Sequence, residues 1–484
     1  MQTFEERLKK FQGKKVLHIG NIANNAYINA KIMRAHGIKA DVLCADYYHI
    51  MACPEWDEAE IEESSTIDAC HPCWKKVDLK GFQRPKWFYQ GTRSFALKAL
   101  IYKHGNKKIR EKIYRLLMNL SCKRYLTLFK LYHNNRDRLD YTRKRIILLR
   151  QFIYKMRVFC GLKSHKNLTH QIKSHKNSIF ERLIQHYDIV QCYATDGIHM
   201  LDAGRTDFAA YEHGTIRDIP FEDNEQGKQC RDVYTKASVV FITNTDCMAA
   251  AEKLKIPMDR LFPIPHAFDN DKAFRFKKKW KSQLNMFDIP TFLAPSRHHW
   301  KEGFSSWLKG NDKIIKAASL LKKEGLPFKI IFIEWGQEVD LSKNLINELG
   351  VGDVIEWWKP LTKFQLWQTY LKVDGVIDQF ILPAMGGVGF ETLAMGTPLF
   401  SNIDEDVLAS FFGKSPPIFN VKNEHDLYAA LRRLLLDRSL YKHVEKEGQK
   451  WIQDYHSSER ILDIHLTAYE KIINERQKNA SLKT

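Results

Sequence analysis

The sequence predicts an α/β protein with two consecutive parallel-sheet domains. Three observations carry this reading. Short β-type runs alternate with helical patterns from residue 15 and, after an interruption at 84–180, again from 187 to about 421. The chain has 484 residues, 44% of them hydrophobic, which is enough for two or three cores. A polar, basic stretch at 270–290 splits the alternation into two blocks.

KVLHIG (15–20) reads as a buried strand. The polar loop 21–25 follows, then a helix over about 26–34 that Gly37 ends, then a second strand, ADVLCAD, at 40–46. In such units ligand-facing groups gather at strand C-terminal ends. Gly20, Asn21, Asn24, Asp46, Tyr48 and His49 fall there. Each satisfies ordinary turn chemistry, and jointly they outline one wall of a polar cleft. Residues 84–180 break the alternation with long helical patterns, one on Ile109, Ile113, Leu116, Leu117 and Leu120, another on Ile146, Leu149, Ile153 and Met156. A short duplication, KSHKN at 163–167 and 173–177, reads as a linker. The sheet pattern resumes with YDIVQCYA, FAAYEHGT, ASVVFITN and DRLFPIPHA. TFLAPSR (291–297) opens the second block, and the end of the chain, roughly 424–475, is helical. The expected division is a first domain over 1–270 with an insertion at about 84–180, a second over 285–450, and a C-terminal helix and tail over 451–484.

The net charge of +19 is concentrated. Between Lys98 and Arg182 there are 23 Lys/Arg and 4 Asp/Glu, and the remainder balances to zero. This basic helical segment fits either packing against the body with a solvated exterior or lying on anionic lipid. It matches no nucleic-acid module, so no nucleic-acid partner is expected. There is no 18-residue apolar run, and the charged start MQTFEERLKKFQGKK lacks a signal-peptide core. Nine cysteines at irregular spacing fit reduced thiols. Cys70 and Cys73 form a C-x2-C pair without a second pair, so no metal is expected. The expected location is the cytoplasm, with peripheral contact to a membrane face.

The densest pattern lies at 374–398, DGVIDQFILPAMGGVGFETLAMGTP. A strand-like run enters Gly386-Gly387-Val388-Gly389, and a helix follows on Phe390, Leu393, Ala394 and Met395. Helix N-termini attract anions, and glycines let the backbone approach them. Glu391, expected in the first turn, adds an acceptor for hydroxyl groups. The same glycines would also serve tight packing.

This segment resembles the donor-binding signature of glycosyltransferase family 4, retaining enzymes of the GT-B architecture. Asp374, Gly386, Glu391, Ala394, Gly396 and Pro398 match it. The resemblance implies two Rossmann-like domains facing a cleft, with a C-terminal helix returning to the first. It implies that Glu391, the last Glu of an E-x7-E pair, contacts the ribose of a nucleotide-sugar donor. The first Glu is replaced by Pro383; the preceding Asp378-Gln379 resembles a subgroup with D-Q before this loop. Arg297 and Lys309 take the places of the family's basic pair that neutralises the leaving diphosphate. Lys301 is the alternative to Lys309. His213, in the run Tyr211-Glu212-His213-Gly214, takes the place of a cleft histidine near the donor sugar, and Arg217 follows it, to hold a phosphate or pair with Asp218.

The implied activity is metal-independent, retaining sugar transfer from a nucleotide sugar to a glycan or lipid-linked glycan acceptor in surface polysaccharide or glycoconjugate synthesis. The donor is a substrate, and no cofactor is expected. The rivals are a nucleotide-sugar epimerase of the same architecture, needing an acid–base pair such as His213 and Glu212, and a catalytically silent GT-B protein that binds glycan or scaffolds an assembly. The charge of 98–182 predicts salt-sensitive sedimentation with anionic liposomes; equal sedimentation with neutral vesicles would discard the membrane reading.

Overall fold

The computed structural model describes residues 2–63, 67–70, 72–120, 179–303, 308–437 and 439–481. They form two α/β domains with a parallel sheet each. The first sheet comprises β1 (Lys15–Ile19), β2 (Lys39–Ala45), β3 (Phe88–Gly91), β4 (Ile189–Tyr193), β5 (Ala209–Tyr211), β6 (Val239–Ile242) and β7 (Leu261–Pro263), in the order β3-β2-β1-β4-β5-β6-β7. The second comprises β8 (Thr291–Ala294), β9 (Lys329–Ile333), β10 (Ile355–Trp358), β11 (Gly375–Ile377), β12 (Leu399–Ser401) and β13 (Phe419–Asn420), in the order β10-β9-β8-β11-β12-β13. This is the GT-B fold.

Each order reverses once, between β1 and β4 and between β8 and β11. Crevices at such reversals, outside the strand C-termini, are where open parallel sheets bind ligands. The register aligns the ends: Ile19 lies beside both Leu43 and Cys192, and Val376 beside Leu293. The strands are nearly continuous apolar runs because helices cover both faces.

Two apolar clusters flank each sheet. On one face of the first sheet, Val16, Tyr27, Met33, Val42 and Phe241 pack with Leu462, Leu466, Tyr469 and Ile472 of the last helix, Ser458–Ser481. The first helix, Phe4–Phe11, is started by the Thr3/Glu6 capping box and pairs with the same helix through Arg7 and Asp463 at 2.6 Å. The C-terminal stretch is thus two helices. The earlier one, Ser439–Tyr455, packs on the second domain, where Gly448 approaches Leu393. The polar stretch after residue 270 is itself a helix, Asn270–Trp280, whose Ala273, Phe276 and Trp280 join the second core.

Residues 108–120 are helical, with Ile109, Ile113, Leu116 and Leu120 exposed. The apolar pattern on Ile146 and Met156, the KSHKN duplication and most of the basic segment lie outside the described residues. Among the described residues, no helix is long and apolar enough to cross a membrane.

Leu466 is fully buried beneath the first sheet. Leu466→Ala should cost about 2–5 kcal/mol in urea unfolding, and a loss below that range would mean the last helix is only loosely seated.

Candidate active site

The second-domain side of the cleft is built at the β8/β11 reversal. Arg297 leaves the end of β8, half-buried. The loop behind it is shaped by Glu338, whose carboxylate accepts the backbone N–H groups of Trp300, Lys301 and Glu302. Lys309 is clamped through its own backbone: its N–H donates to the His299 carbonyl at 2.6 Å, and its carbonyl accepts from Phe380 N–H at 3.0 Å. Gly310, at φ +79°, makes this turn beside Phe380. The Lys309 ammonium then reaches Gln379 Oε1 at 2.5 Å, and Gln379 donates to the Ala384 carbonyl at 2.6 Å. Lys301 is exposed, so the geometry favours Lys309.

Burial pulls the Lys309 ammonium below its ordinary pKa, and the positive charges of Arg297 and Arg217 act in the same direction while Asp378 opposes them. Cations from both domains thus act on Lys309. Asp378 is itself buried and accepts from Ser296 Oγ.

Through Gln379 and Ala384, Lys309 is tied to the start of the glycine loop. Gly386 caps the helix Gly387–Met395 with no side-chain bond to its first N–H groups. A Cβ on Gly386 or Gly387 would meet nothing within 4 Å. Packing does not demand these two glycines, and the space over the helix N-terminus is open. Gly389 differs, since a side chain there would collide with Met385. Val388 packs on the second core. Asp374 instead closes the far end of β11 by accepting from Thr291 N–H at 2.8 Å, and Gly396 ends the helix at φ +73°.

Glu391 sits in the second turn of this helix, not the first. It is buried, with Lys363 Nζ at 2.6 Å and Trp367 Nε1 at 2.9 Å on its two oxygens. Pro383, at the position of the signature's first Glu, is exposed.

From the first domain, His213 stands at the end of β5. Asn25 fixes its tautomer. The Asn25 amide oxygen accepts from Ala267 N–H at 3.3 Å, so its nitrogen donates to His213 Nδ1 at 3.1 Å. That leaves Nε2 as the N–H donor. Burial, with Arg217 adding, lowers the ring to about 4 and keeps it neutral. Arg217 forms a two-pronged pair with Asp246, not with Asp218. Glu212 points the other way, fully buried, accepting from Thr243 N–H and hydroxyl, Asn244, Cys247 and Gly214. It is no acid–base partner for His213.

Several first-domain expectations are corrected. Asn21 and Asn24 are buried braces of their own loop: Asn21 holds Asn24 Oδ1, the Ala52 carbonyl and Tyr27 N–H, and Asn24 holds the Cys53 carbonyl and Asp57. Their amides are spent because the loop folds back on itself, with Asn24 at φ +55°. Tyr48 is in the core at 6% exposure. His49 caps a short 3-10 turn through Met51 N–H. Asp46 is exposed at the rim. Gly20, at φ +88°, does lie at the β1/β4 reversal, where its Cα abuts the Asp196 carboxylate.

Asp196 was not singled out by motif, although it follows the strand YDIVQCYA as Asp46 follows β2. Its recessed setting raises the carboxyl to about 6, with Arg93 opposing. His199 Nε2 lies 3.7 Å away.

With this geometry in view, residues 304–451 match the family model described as glycosyl transferases group 1. The match covers most of the second domain. A glycosyltransferase from Rickettsia africae ESF-5 superposes with a TM-score of 0.50 at 12% identity, over 96% of this chain and 99% of that chain. Sucrose-phosphate synthase from Thermosynechococcus elongatus gives 0.47 at 14% identity, over 97% and 100%. S. aureus TarM, with Fondaparinux, alpha-GlcNAc-glycerol and UDP, gives 0.42 at 13% identity, over 60% of this chain and only 58% of that longer one. These likenesses concern the fold. No curated protein matches the chain.

Because the folded His213 pKa of about 4 lies below the ordinary imidazole value of 6.5, its neutral form stabilises the fold above that value, and this stability is lost as pH falls toward 4. His213→Gln should therefore flatten the fall of Tm with acid between these limits. An unchanged slope would mean the ring is hydrated.

Proposed function

We propose that this protein is a retaining glycosyltransferase that moves a hexose or related sugar from a nucleotide-sugar donor to a glycan or lipid-linked glycan, in surface polysaccharide or glycoconjugate synthesis. The observation that carries this reading is the tie of Lys309, through Gln379 and Ala384, to the start of an open, glycine-capped helix N-terminus, with Arg297 and Arg217 acting on the same ammonium. Such an arrangement suits a diphosphate, whose charge grows as the sugar leaves.

In this reading Gly386 and Gly387 admit the diphosphate to the backbone N–H groups, and Arg297 and Lys309 neutralise the leaving oxygen. Glu391 receives ribose hydroxyls. A carboxylate offers about four lone-pair sites, so Lys363 and Trp367 leave acceptor capacity. His213 donates Nε2–H to the donor sugar. Asp196, at the opposite reversal, faces the acceptor. The acceptor hydroxyl attacks on the face that the diphosphate leaves. The C1–O bond to phosphate breaks, the C1–O bond to the acceptor forms, and the proton passes to the departing phosphate oxygen. No metal or cofactor enters this scheme. The enzyme would work in the cytoplasm, with the basic 98–182 segment against an anionic membrane that presents the acceptor.

The test incubates the purified protein with a panel of nucleotide sugars and scores diphosphate release with and without membrane extract. Extract-dependent release of one diphosphate is expected. Lys309→Ala should lower kcat by about 10²–10³, and Glu391→Ala should abolish the signal. The product anomer, read by NMR, should match the donor; an inverted anomer would overturn the retaining mechanism. Absence of binding and turnover across the panel would favour a silent glycan-binding protein, consistent with exposed Pro383.

A further inference from the structure

A strap of the first domain, residues 57–62, grips the second domain beside Glu391. Lys363, which opens the helix Lys363–Tyr370, places its ammonium 3.1 Å from Asp57 Oδ1 and 2.6 Å from Glu391 Oε1. All three side chains are largely buried. Burial alone would lower the Lys363 ammonium, but the two carboxylates outweigh it and hold it charged. The rest of the strap continues the grip. Thr362 Oγ1 donates to the Ile61 carbonyl and Gln365 Nε2 to the Glu62 carbonyl, each at 2.6 Å. Lys272 reaches the Asp57 carbonyl, and Lys279 pairs with Glu60 at 2.6 Å.

Asp57 has a second duty. Its other oxygen accepts from Asn24, which is held in turn by Asn21. The next residue, Asn25, orients His213. A continuous polar chain therefore runs from Glu391 through Lys363 and Asp57 to the loop that positions His213. Both ends belong to the proposed reaction, yet Asp57 and Lys363 themselves belong to different domains.

We propose that Asp57 and Lys363 are positioning residues: they form an interdomain latch that ties the carboxylate Glu391 to the first-domain loop carrying His213, and so fixes the domain angle at which transfer occurs. The catalytic part of this inference rests on the glycosyltransferase reading; the latch itself does not. Donor occupancy at Glu391 would be sensed by Lys363 and passed to the first domain as a change in its pull on Asp57.

The experiment uses the full chain with Asp57→Asn, Lys363→Met and Lys363→Arg. Small-angle scattering without ligand reads the domain angle, calorimetry with UDP, GDP and ADP reads nucleotide affinity, and the transfer assay reads kcat and KM. Asp57→Asn should enlarge the radius of gyration, leave nucleotide affinity within about threefold and lower kcat at least tenfold. Lys363→Met should weaken both affinity and kcat, and Lys363→Arg should restore them. If Asp57→Asn does not fold, by thermal unfolding, Gln365→Met, which frees the Glu62 carbonyl, carries the same comparison. Wild-type scattering and wild-type kcat in Asp57→Asn would overturn the latch. If the wild-type chain binds none of the three nucleotides, the glycosyltransferase reading fails, while the scattering comparison still decides whether the latch holds the domains.

Discussion

The crowding of positive charge at the cleft is the constraint around which the rest of this molecule is arranged. Arg217 and Arg297, one from each domain, both act against the charge of the buried Lys309. Folding alone gains nothing from such a cluster, and like charges in a recessed site oppose the compact state. The structure holds the group in place by fixing backbones. Lys309 is pinned between His299 and Phe380, the loop of Arg297 is wrapped on Glu338, and Arg217 is locked on Asp246. Functional sites that break local rules in this way are supported by their surroundings. An anion entering the cleft relieves the repulsion without moving the scaffold, which is the condition for preorganised charge stabilisation.

That cluster exists only while the domains face each other. The chain crosses between them twice, near residues 268–270 and 456–458, and the two crossings are bonded to one another. Ser458 donates its N–H and hydroxyl to Asn270 Oδ1 at 2.9 and 2.8 Å. After the second crossing the last helix buries Leu462, Leu466 and Ile472 under the first sheet. The hinge is therefore narrow, and its two strands are bonded to each other. The strap at 57–62 adds a third contact on the side of Glu391, well away from the hinge in sequence, where polar bonds oppose rotation most directly. Polar interfaces of this kind hold a preferred angle without welding the domains.

Local patterns made most of this legible. Apolar runs bounded by glycine located the strands, the rule that ligands gather at strand C-terminal ends located Gly20, the anion affinity of helix N-termini located the glycine loop, and the family resemblance picked out His213 and Arg297. Contacts between distant residues were not legible. Nothing in the spacing of Asn21 and Asn24 reveals that their amides close on each other and on Asp57, and nothing near Lys363 announces a partner 306 residues upstream. Tyr48 illustrates a second failure. It follows a strand end, but the chain turns inward there, so a position that should face the cleft faces the core. Asp196 escapes notice for the opposite reason: its strand is legible, but it lies three residues beyond the strand end, in a turn that no motif marks.

Glu212 and His213 show how one strand end divides two titratable groups between core and cleft. They are adjacent, so they leave the β5 edge on opposite sides. Glu212 goes into the core, where five donors saturate it and burial raises its pKa. His213 goes to the cleft, neutral, with its Nδ1 committed to Asn25. Epimerisation at carbon needs one group to take a proton and another to return it. Here the carboxylate is unreachable and the imidazole has a single N–H to offer. A neutral donor at the cleft suits the proposed chemistry instead, in which the protein would neutralise a leaving group and the substrates would carry the proton between themselves.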